Sequence, residues 1–331
     1  MELCPACGCS QQAAATQSFT EPLAKTTYRL YRCPGCDLEF WAPLVMPDGS
    51  YYEQAVGEYE HYHKGDDLSL RWWHRAFLRD FPSTNIPGRI LDIGCADGRF
   101  LRTMKDKGWS VCGVDFDRRS VETARRTCGT SEIYHGSLDE VVGQFEAGLF
   151  DVVTFFEVLE HQVNPIGFLQ RVKTLMKRGG TVGGSVPNRL RYVIPTRHSP
   201  DLPPHHFTLW TPEVLRRFFE RQGFSDVRTS SARYEPILLD QAIRHVMHQP
   251  LRRAKLRLGV RSFESADYDS PANAPGRLLT AAKRFVWNPI MAVLTLPEYP
   301  VLWLSGRGIS LCFIAGLGAA GPDPPDDGSS V

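Results

Sequence analysis

Neither sign of charge dominates this 331-residue chain: 38 Lys and Arg stand against 37 Asp and Glu, for a net charge of +1. A chain built to grip nucleic acid carries a basic excess. A small-molecule partner is therefore expected rather than nucleic acid, with only a local basic stripe left open. No internal repeat is present, which sets repeat architectures aside. The opening residues, Met1-Glu2-Leu3-Cys4-Pro5, lack the basic start and apolar run of an export signal, and the expectation is a cytoplasmic protein. In that reducing setting the nine cysteines are expected to hold metal rather than form disulfides. Long apolar runs are scarce too. The longest, Ile290 to Leu304, is interrupted by Pro297, Glu298 and Pro300, too short and broken for a membrane span. What is present is an ordinary apolar fraction, 42%, enough for a sizeable core. The length suits one large domain with appendages or two modest ones.

Composition divides the chain. Residues 1–45 are rich in Cys and Pro. Residues 46–86 are polar and aromatic, with helical spacing at Leu70, Trp73, Phe77 and Phe81. Residues 87–235 alternate short apolar runs with amphipathic helical patterns, the mark of a parallel sheet with crossover helices. Residues 236–307 read as a helical, basic and apolar insertion, 308–319 as a final edge strand, and 320–331 as a Pro/Asp/Gly/Ser-rich disordered tail. Within the third region, strands are predicted at Arg89–Ile93, Val111–Asp115, Glu132–His135, Phe150–Phe155, Thr181–Val186 and Val227–Ser230. Helices are predicted around Phe100, Leu101 and Met104, over Arg118–Cys128, after the Asn164 N-cap with Pro165 at its first position, and after Thr211-Pro212-Glu213. Gly179-Gly180 is expected to end the helix that Asn164 opens.

The densest signal is Leu91-Asp92-Ile93-Gly94-Cys95-Ala96-Asp97-Gly98. A strand runs into a turn of small residues and then into a helix, and glycine there lets backbone amides approach a ligand. A dinucleotide fingerprint asks for glycine at the first, third and sixth positions. Those positions hold Gly94, Ala96 and Arg99. Asp92 just before the turn repels a pyrophosphate but suits a cationic sulfonium carrying an amino group. Asp115 ends the second strand about twenty residues on, where an acid accepts ribose hydroxyls. The other readings are a structural glycine turn and a nicotinamide site.

Residues 87 to about 235 resemble the class I methyltransferases, particularly the group that includes the ubiquinone-biosynthesis O-methyltransferases. Ile90 to Gly98 is similar to their first motif, with Ala96 where glycine is commoner. Gly113-Val114-Asp115-Phe116 is similar to the second, and Phe150 to His161 to the fourth-strand motif. His206 through Gly223 resembles the stretch after the fifth strand. The resemblance implies a doubly wound, mostly parallel seven-stranded α/β sheet, Rossmann-like, flanked by an N-terminal zinc knot and a C-terminal helical insertion. It implies S-adenosyl-L-methionine as cofactor. The turn from Asp92 through Gly94, Cys95 and Ala96 to Gly98 would hold its methionine portion, Asp115 the ribose, and Phe116 the adenine face. Ser137 and Leu138 would border the adenine, and Glu157 would close the floor near the sulfonium. It also implies that the last strand, Ile309 to Ala315, pairs antiparallel at the sheet edge with the strand near Val227.

A sulfonium carries its own activated methyl, so the protein's task is to place the acceptor and exclude water. A hydroxyl acceptor is helped by a base. His161, just after the fourth strand, is the first candidate and His206 the second. The alternative for His161 is a helix-entry histidine bonding local backbone. His205 and His206 lie in a loop with Pro200, Pro203 and Pro204, read either as a lid or as plain surface.

Cys4-Pro5-Ala6-Cys7 and Cys33-Pro34-Gly35-Cys36 are two C-x-x-C pairs. Two such knuckles close a four-thiolate tetrahedral site, which predicts structural zinc without an open position and so without a catalytic role. The alternative is a disulfide or redox pair. Gly8 and Gly35 are expected at the tight turns, and Cys9 is a spare thiol. Methyltransferases acting on nucleotide-linked keto sugars are similar in carrying an N-terminal zinc segment, but they are longer. Tyr51, Tyr52, Tyr59, Tyr62 and His63 either cover an acceptor pocket or pack on the main domain. Arg252, Arg253, Lys255, Arg257 and Arg261, with the apolar stretch after them, suit peripheral contact with an anionic membrane face or a packed insertion. The leading function is thus a methyltransferase acting on a small molecule (sugar, polyketide or lipid-linked intermediate) at oxygen or carbon. The alternatives are a zinc-knot nucleic-acid enzyme or binding module, disfavoured because Cys4 to Cys36 holds only Lys25, Arg29 and Arg32 as basic residues, and an NAD-dependent oxidoreductase.

Overall fold

Short apolar runs spaced by amphipathic segments leave a chain few choices but to bury strands between helices. In the computed structural model, which describes residues 3–10, 14–21, 25–45, 68–81, 86–191, 201–231 and 308–318, they do so in one seven-stranded sheet. Five of its strands are parallel: β4 (Arg89–Ile93), β5 (Ser110–Asp115), β6 (Ile133–His135), β7 (Phe150–Phe156) and β8 (Met176–Pro187). With β10 (Phe224–Ser231) and β11 (Ser310–Leu317), the order is β10-β11-β8-β7-β4-β5-β6. Strand order reverses at β4, whose neighbours are β5 on one side and β7 on the other. The carboxyl ends there form the crevice where such sheets bind ligands.

Helices cover both faces. On one lie α1 (Trp72–Asp80), α2 (Arg99–Asp106) and α3 (Arg118–Cys128), whose Phe77, Phe100, Leu101, Met104, Val121 and Ala124 pack with Ile90, Val111 and Val152. On the other lie α4 (Leu138–Val141), α5 (Pro165–Leu175) and α6 (Pro212–Arg221). Their Leu138, Phe168, Leu169, Leu215 and Phe219 meet Leu91, Val114, Phe155 and Phe313. Successive residues of one strand thus serve opposite layers, as the pleat dictates. The caps are as read. Asn164 accepts from the Gly167 amide at 2.9 Å with Pro165 behind it, and Thr211 accepts from the Val214 amide.

Three expectations are corrected. Helix α5 ends at Leu175, not at Gly179-Gly180. Met176 is already extended and pairs with Phe150, and Gly179 (φ +75°) lies in an irregularity before Thr181 pairs with Val152. Strand pairing takes the segment over before the glycines are reached. The final strand does pair antiparallel with β10, but it is not an edge. It inserts between β10 and β8 and is antiparallel to both. Its Leu311 to Ala315 are all buried, whereas in β10 only Phe224 is buried and the rest are half-buried or exposed, as suits a central and an edge strand respectively. The N-terminal segment is more than a knot. Strands β1 (Gln17–Thr20), β2 (Thr27–Arg32) and β3 (Glu39–Ala42) form an antiparallel sheet that β9 (Thr208–Leu209) joins from the other end of the chain. The insertion 236–307, the tail 320–331 and the aromatic residues Tyr51 to His63 lie outside the described residues. Among the described residues no helix is long and apolar enough to cross a membrane.

Candidate active site

Where β4 ends, the backbone turns through Gly94 (φ +75°), Ala96 (φ +47°) and Gly98 (φ +77°) into α2. Left-handed backbone is glycine's ground, and Gly94 needs it twice over. A Cβ there would come within 2.6 Å of the Val158 side chain. Ala96 accepts the strain, and its amide donates to Asp115 Oδ2 at 2.8 Å. The other oxygen of Asp115 accepts from the Asp117 amide at 2.9 Å. A carboxylate so held keeps lone pairs for further donors such as ribose hydroxyls. Cys95 turns its side chain into the core, leaving its backbone to the turn.

Two acids flank this turn in low-dielectric surroundings. Asp92 is 2% exposed and accepts from Thr154 Oγ1 at 2.7 Å. Burial pushes its carboxyl up to about 8, with the Asp115 charge adding to the rise. Burial also raises Asp115 to about 6, against the lowering from its two amide donors. Acids held this far above their ordinary value favour a cation beside them, which fits a sulfonium and not a pyrophosphate. Arg99, at the sixth position of the turn, is paired with buried Asp97 at 2.5 Å and donates to the Ser69 carbonyl at 2.9 Å. That buried pair was not foreseen; an acid two residues before an arginine at a helix start is the signal that could have found it.

The remaining cofactor candidates surround the same crevice. Phe116 follows Asp115 and is 53% exposed, a ring without core duty. Ser137 N-caps α4 and its hydroxyl bonds Glu140 Oε2 at 2.8 Å, while Leu138 is buried in the core. Glu157, after β7, takes φ +55° and accepts from Ser185 Oγ at 2.7 Å. Burial raises it to about 7.

His161 and His206, 45 positions apart in sequence, come together. The His161 ring lies 4.8 Å, centroid to centroid, from both His205 and His206. His161 Nδ1 is 2.5 Å from the His205 carbonyl oxygen and so donates to it. That fixes the tautomer and leaves Nε2 as an acceptor. His206 Nδ1 stands 3.4 Å from Asp201 Oδ1, which Arg191 Nη2 holds at 2.6 Å. Burial lowers His161 and His205 to about 3 and His206 to about 4, so all three are neutral at pH 7. Glu160 is fully buried, 3.8 Å from His161 Nε2 and 3.9 Å from His206 Nε2. Burial holds its carboxyl well above the usual range, and neither oxygen has a hydrogen-bond partner among the described residues. Glu160 and Asp201 are partners the sequence reading missed, and His205, read only as part of a lid or surface loop, supplies a backbone carbonyl.

The four cysteines of the N-terminal knuckles converge. Sγ of Cys4 lies 3.6 Å from Cys36, and Cys7 lies 3.5 Å from Cys33. A disulfide needs about 2.05 Å, whereas sulfurs on one tetrahedral zinc sit about 3.7 Å apart. All four ligand atoms fall within 4.8 Å of one another. The knuckles share one backbone design. Cys4 N donates to Cys9 O and Gly8 N to Cys4 O; Cys33 N donates to Leu38 O and Asp37 N to Cys33 O. The residue after each second cysteine takes φ +71°, and these are Gly8 and Asp37. Gly35 lies in the turn of the second knuckle, as expected, without taking that conformation.

A family model described as a methyltransferase domain matches residues 62–229, half of the chain. The chain is 29% identical over 200 residues to the ubiquinone biosynthesis O-methyltransferase of Burkholderia pseudomallei (strain 1710b), covering 53% of this chain and 86% of that one. It is 27% identical over 222 residues to the enzyme of the same name from Ralstonia nicotianae (strain ATCC BAA-1114 / GMI1000), covering 59% and 92%. Among solved structures, a SAM dependent methyltransferase from Archaeoglobus fulgidus aligns at 17% identity over 81% of this chain and 100% of that one, with a TM-score of 0.45.

Proposed function

The chain belongs to the methyltransferase-domain family and is an S-adenosylmethionine-dependent methyltransferase, and on that premise we propose that it methylates a hydroxyl of a small molecule with His161 as the base. The bound cofactor supplies a methyl group already activated on sulfur. The backbone of Gly94 to Gly98 holds its methionine portion, and Asp115 accepts its ribose hydroxyls. Asp92 offsets the positive charge, and Phe116 covers the adenine at the rim beside Ser137 and Leu138. Glu157 closes the floor. His161 Nε2 would take the acceptor hydroxyl's proton as the methyl leaves sulfur for oxygen, and His206 beside it keeps the cluster neutral. Oxygen rather than carbon is favoured because a hydroxyl acceptor has a proton for a neutral imidazole at this place to take. The relatives from Burkholderia and Ralstonia are O-methyltransferases, which supports the same choice. The acceptor class spans phenolic, sugar and lipid-linked hydroxyls.

The observation that carries this reading is the bond from His161 Nδ1 to the His205 carbonyl, 2.5 Å long, beside the carboxyl end of β7. The test is His161→Ala assayed for methyl transfer to a panel of catechols, sugars and polyprenyl phenols. Turnover should fall by about 10²- to 10⁴-fold while calorimetry shows unchanged cofactor affinity. Undiminished turnover would remove the base from His161.

Zinc at Cys4, Cys7, Cys33 and Cys36 belongs to the same proposal as a structural ion. The sulfur spacing supports it, with Cys4 and Cys36 3.6 Å apart and Cys7 and Cys33 3.5 Å apart, close to the edge of a four-thiolate tetrahedron. The enzyme is placed in the cytoplasm, and any contact with an anionic membrane face is assigned to the basic and apolar residues between 244 and 304.

A further inference from the structure

The loop that carries His205 and His206 is strung between two modules. At its far end β9 pairs with β3, Thr208 opposite Phe40 and Leu209 opposite Glu39. Trp41 of β3 adds two bonds. Its amide donates to the Phe207 carbonyl at 2.8 Å, and its indole Nε1 donates to the Asp201 carbonyl at 3.0 Å. The indole is 2% exposed and packs with Tyr28, Phe207 and Leu209. On the catalytic side, the Phe207 amide donates to the Glu160 carbonyl at 2.9 Å, one residue before His161. The carbonyl that receives the His161 Nδ1 proton therefore sits midway along a segment whose two ends, Asp201 and Phe207, are both bonded to Trp41.

We propose that Trp41 is a positioning residue for His161, so that the cysteine-bearing N-terminal sheet tunes methyl transfer through a tautomer. The inference rests on His161 being the base. With the His205 carbonyl in place, the Nδ1 proton is held and Nε2 keeps its lone pair, 3.8 Å from Glu160 Oε1. If the loop relaxes, that carbonyl withdraws and the ring reverts to the Nε2–H form that free histidine prefers. An Nε2–H ring cannot accept the acceptor's proton at that nitrogen. Zinc at the knuckles would act at one remove, by keeping the sheet that presents Trp41 in shape.

The experiment compares wild type and Trp41→Phe as full chains saturated with S-adenosylhomocysteine. The indole N–H is lost while most of the apolar ring remains. Long-range ¹H–¹⁵N correlation reads each imidazole's tautomer, the His161 signals being identified by their loss in His161→Gln. Wild type should show His161 protonated on Nδ1, and Trp41→Phe should move it toward Nε2–H. Turnover should then fall by about 10- to 100-fold, the scale of a small misplacement, with KM for the cofactor unchanged. Benzothienylalanine installed at position 41 replaces only N–H by sulfur and serves if the phenylalanine variant unfolds. An unchanged tautomer overturns the proposal. A switched tautomer with unchanged turnover leaves the Trp41 link standing and refutes His161 as base.

Discussion

Moving the pH from 5 to 8 should tighten S-adenosylmethionine far more than S-adenosylhomocysteine. In the free protein, burial holds Asp92 at about 8 and Asp115 at about 6, against 3.8 for an ordinary aspartate. Asp92 is therefore protonated at neutral pH and Asp115 only partly so below it. A sulfonium beside the turn favours the ionised forms, so binding expels protons. Each expelled proton steepens the dissociation constant by up to about tenfold per pH unit below the group's pKa. Between pH 6 and 8 Asp92 alone gives up to about a hundredfold, and below pH 6 Asp115 adds a second proton. The homocysteine product has a neutral sulfur and the same amino group, so the difference between the two ligands isolates the sulfonium. The sign for stability is opposite. A carboxyl raised from 3.8 to about 8 contributes stability that is full below pH 4 and lost as pH rises to 8. Above pH 6.5, where the lowered histidines are largely neutral in both the folded and the unfolded state, the free protein should melt at lower temperature toward pH 8, and the cofactor should restore it. Calorimetry in two buffers of different ionisation enthalpy counts the protons. Parallel pH slopes for both ligands, or a slope between pH 6 and 8 that survives Asp92→Asn, would refute the electrostatic reasoning.

Gly98→Ala should destabilise the protein by about 2–4 kcal/mol, from left-handed strain of about 1–2 kcal/mol and overpacking of a similar size. The added Cβ at φ +77° would stand 3.0 Å from Ala124 Cα and 2.9 Å from Cys128 Sγ. A denaturation midpoint shift worth under about 1 kcal/mol would mean that α2 and α3 part easily there. Metal analysis of purified protein should find about one zinc per chain, and Cys33→Ser should lower both zinc content and melting temperature. A metal-free wild type with full stability would dismiss the site.

How far the sequence carried the fold depends on the range of the forces at each place. The Asn164-Pro165 cap, the turn from Gly94 to Gly98 and the β5 terminus at Asp115 obey local rules, and they are found where local rules put them. The end of α5 does not. Gly179-Gly180 is a good local stop, but pairing of Met176 with Phe150 is a contact with a residue far back in the chain, and it wins. The place of β11 was legible and was overlooked. Ser310-Leu311-Cys312-Phe313-Ile314-Ala315 is nearly unbroken apolar, whereas Phe224-Ser225-Asp226-Val227-Arg228-Thr229-Ser230 alternates with polar residues. The first pattern suits a strand with neighbours on both sides and the second an edge.

The two halves of the site differ in the same way, and the difference has a consequence for variation. On the proposed reading most of the cofactor half lies within Asp92 to Asp117, with Ser137, Leu138 and Glu157 beyond it, and each requirement falls on a named residue: small at Gly94, acidic at Asp115, left-handed at Gly98. Substitution there is expected to weaken cofactor binding directly. The base side is held by bonds that reach across the chain, from Trp41 to Asp201 and Phe207, from Arg191 to Asp201, from Phe207 to Glu160. Most of those bonds end on main-chain carbonyls or amides. The side chains between the anchors can therefore change, and with them the shape offered to an acceptor, while the carbonyl of residue 205 stays where His161 needs it. Acceptor preference should thus be easier to alter by substitutions between Asp201 and Phe207 than by substitutions at the anchors themselves, which act on rate.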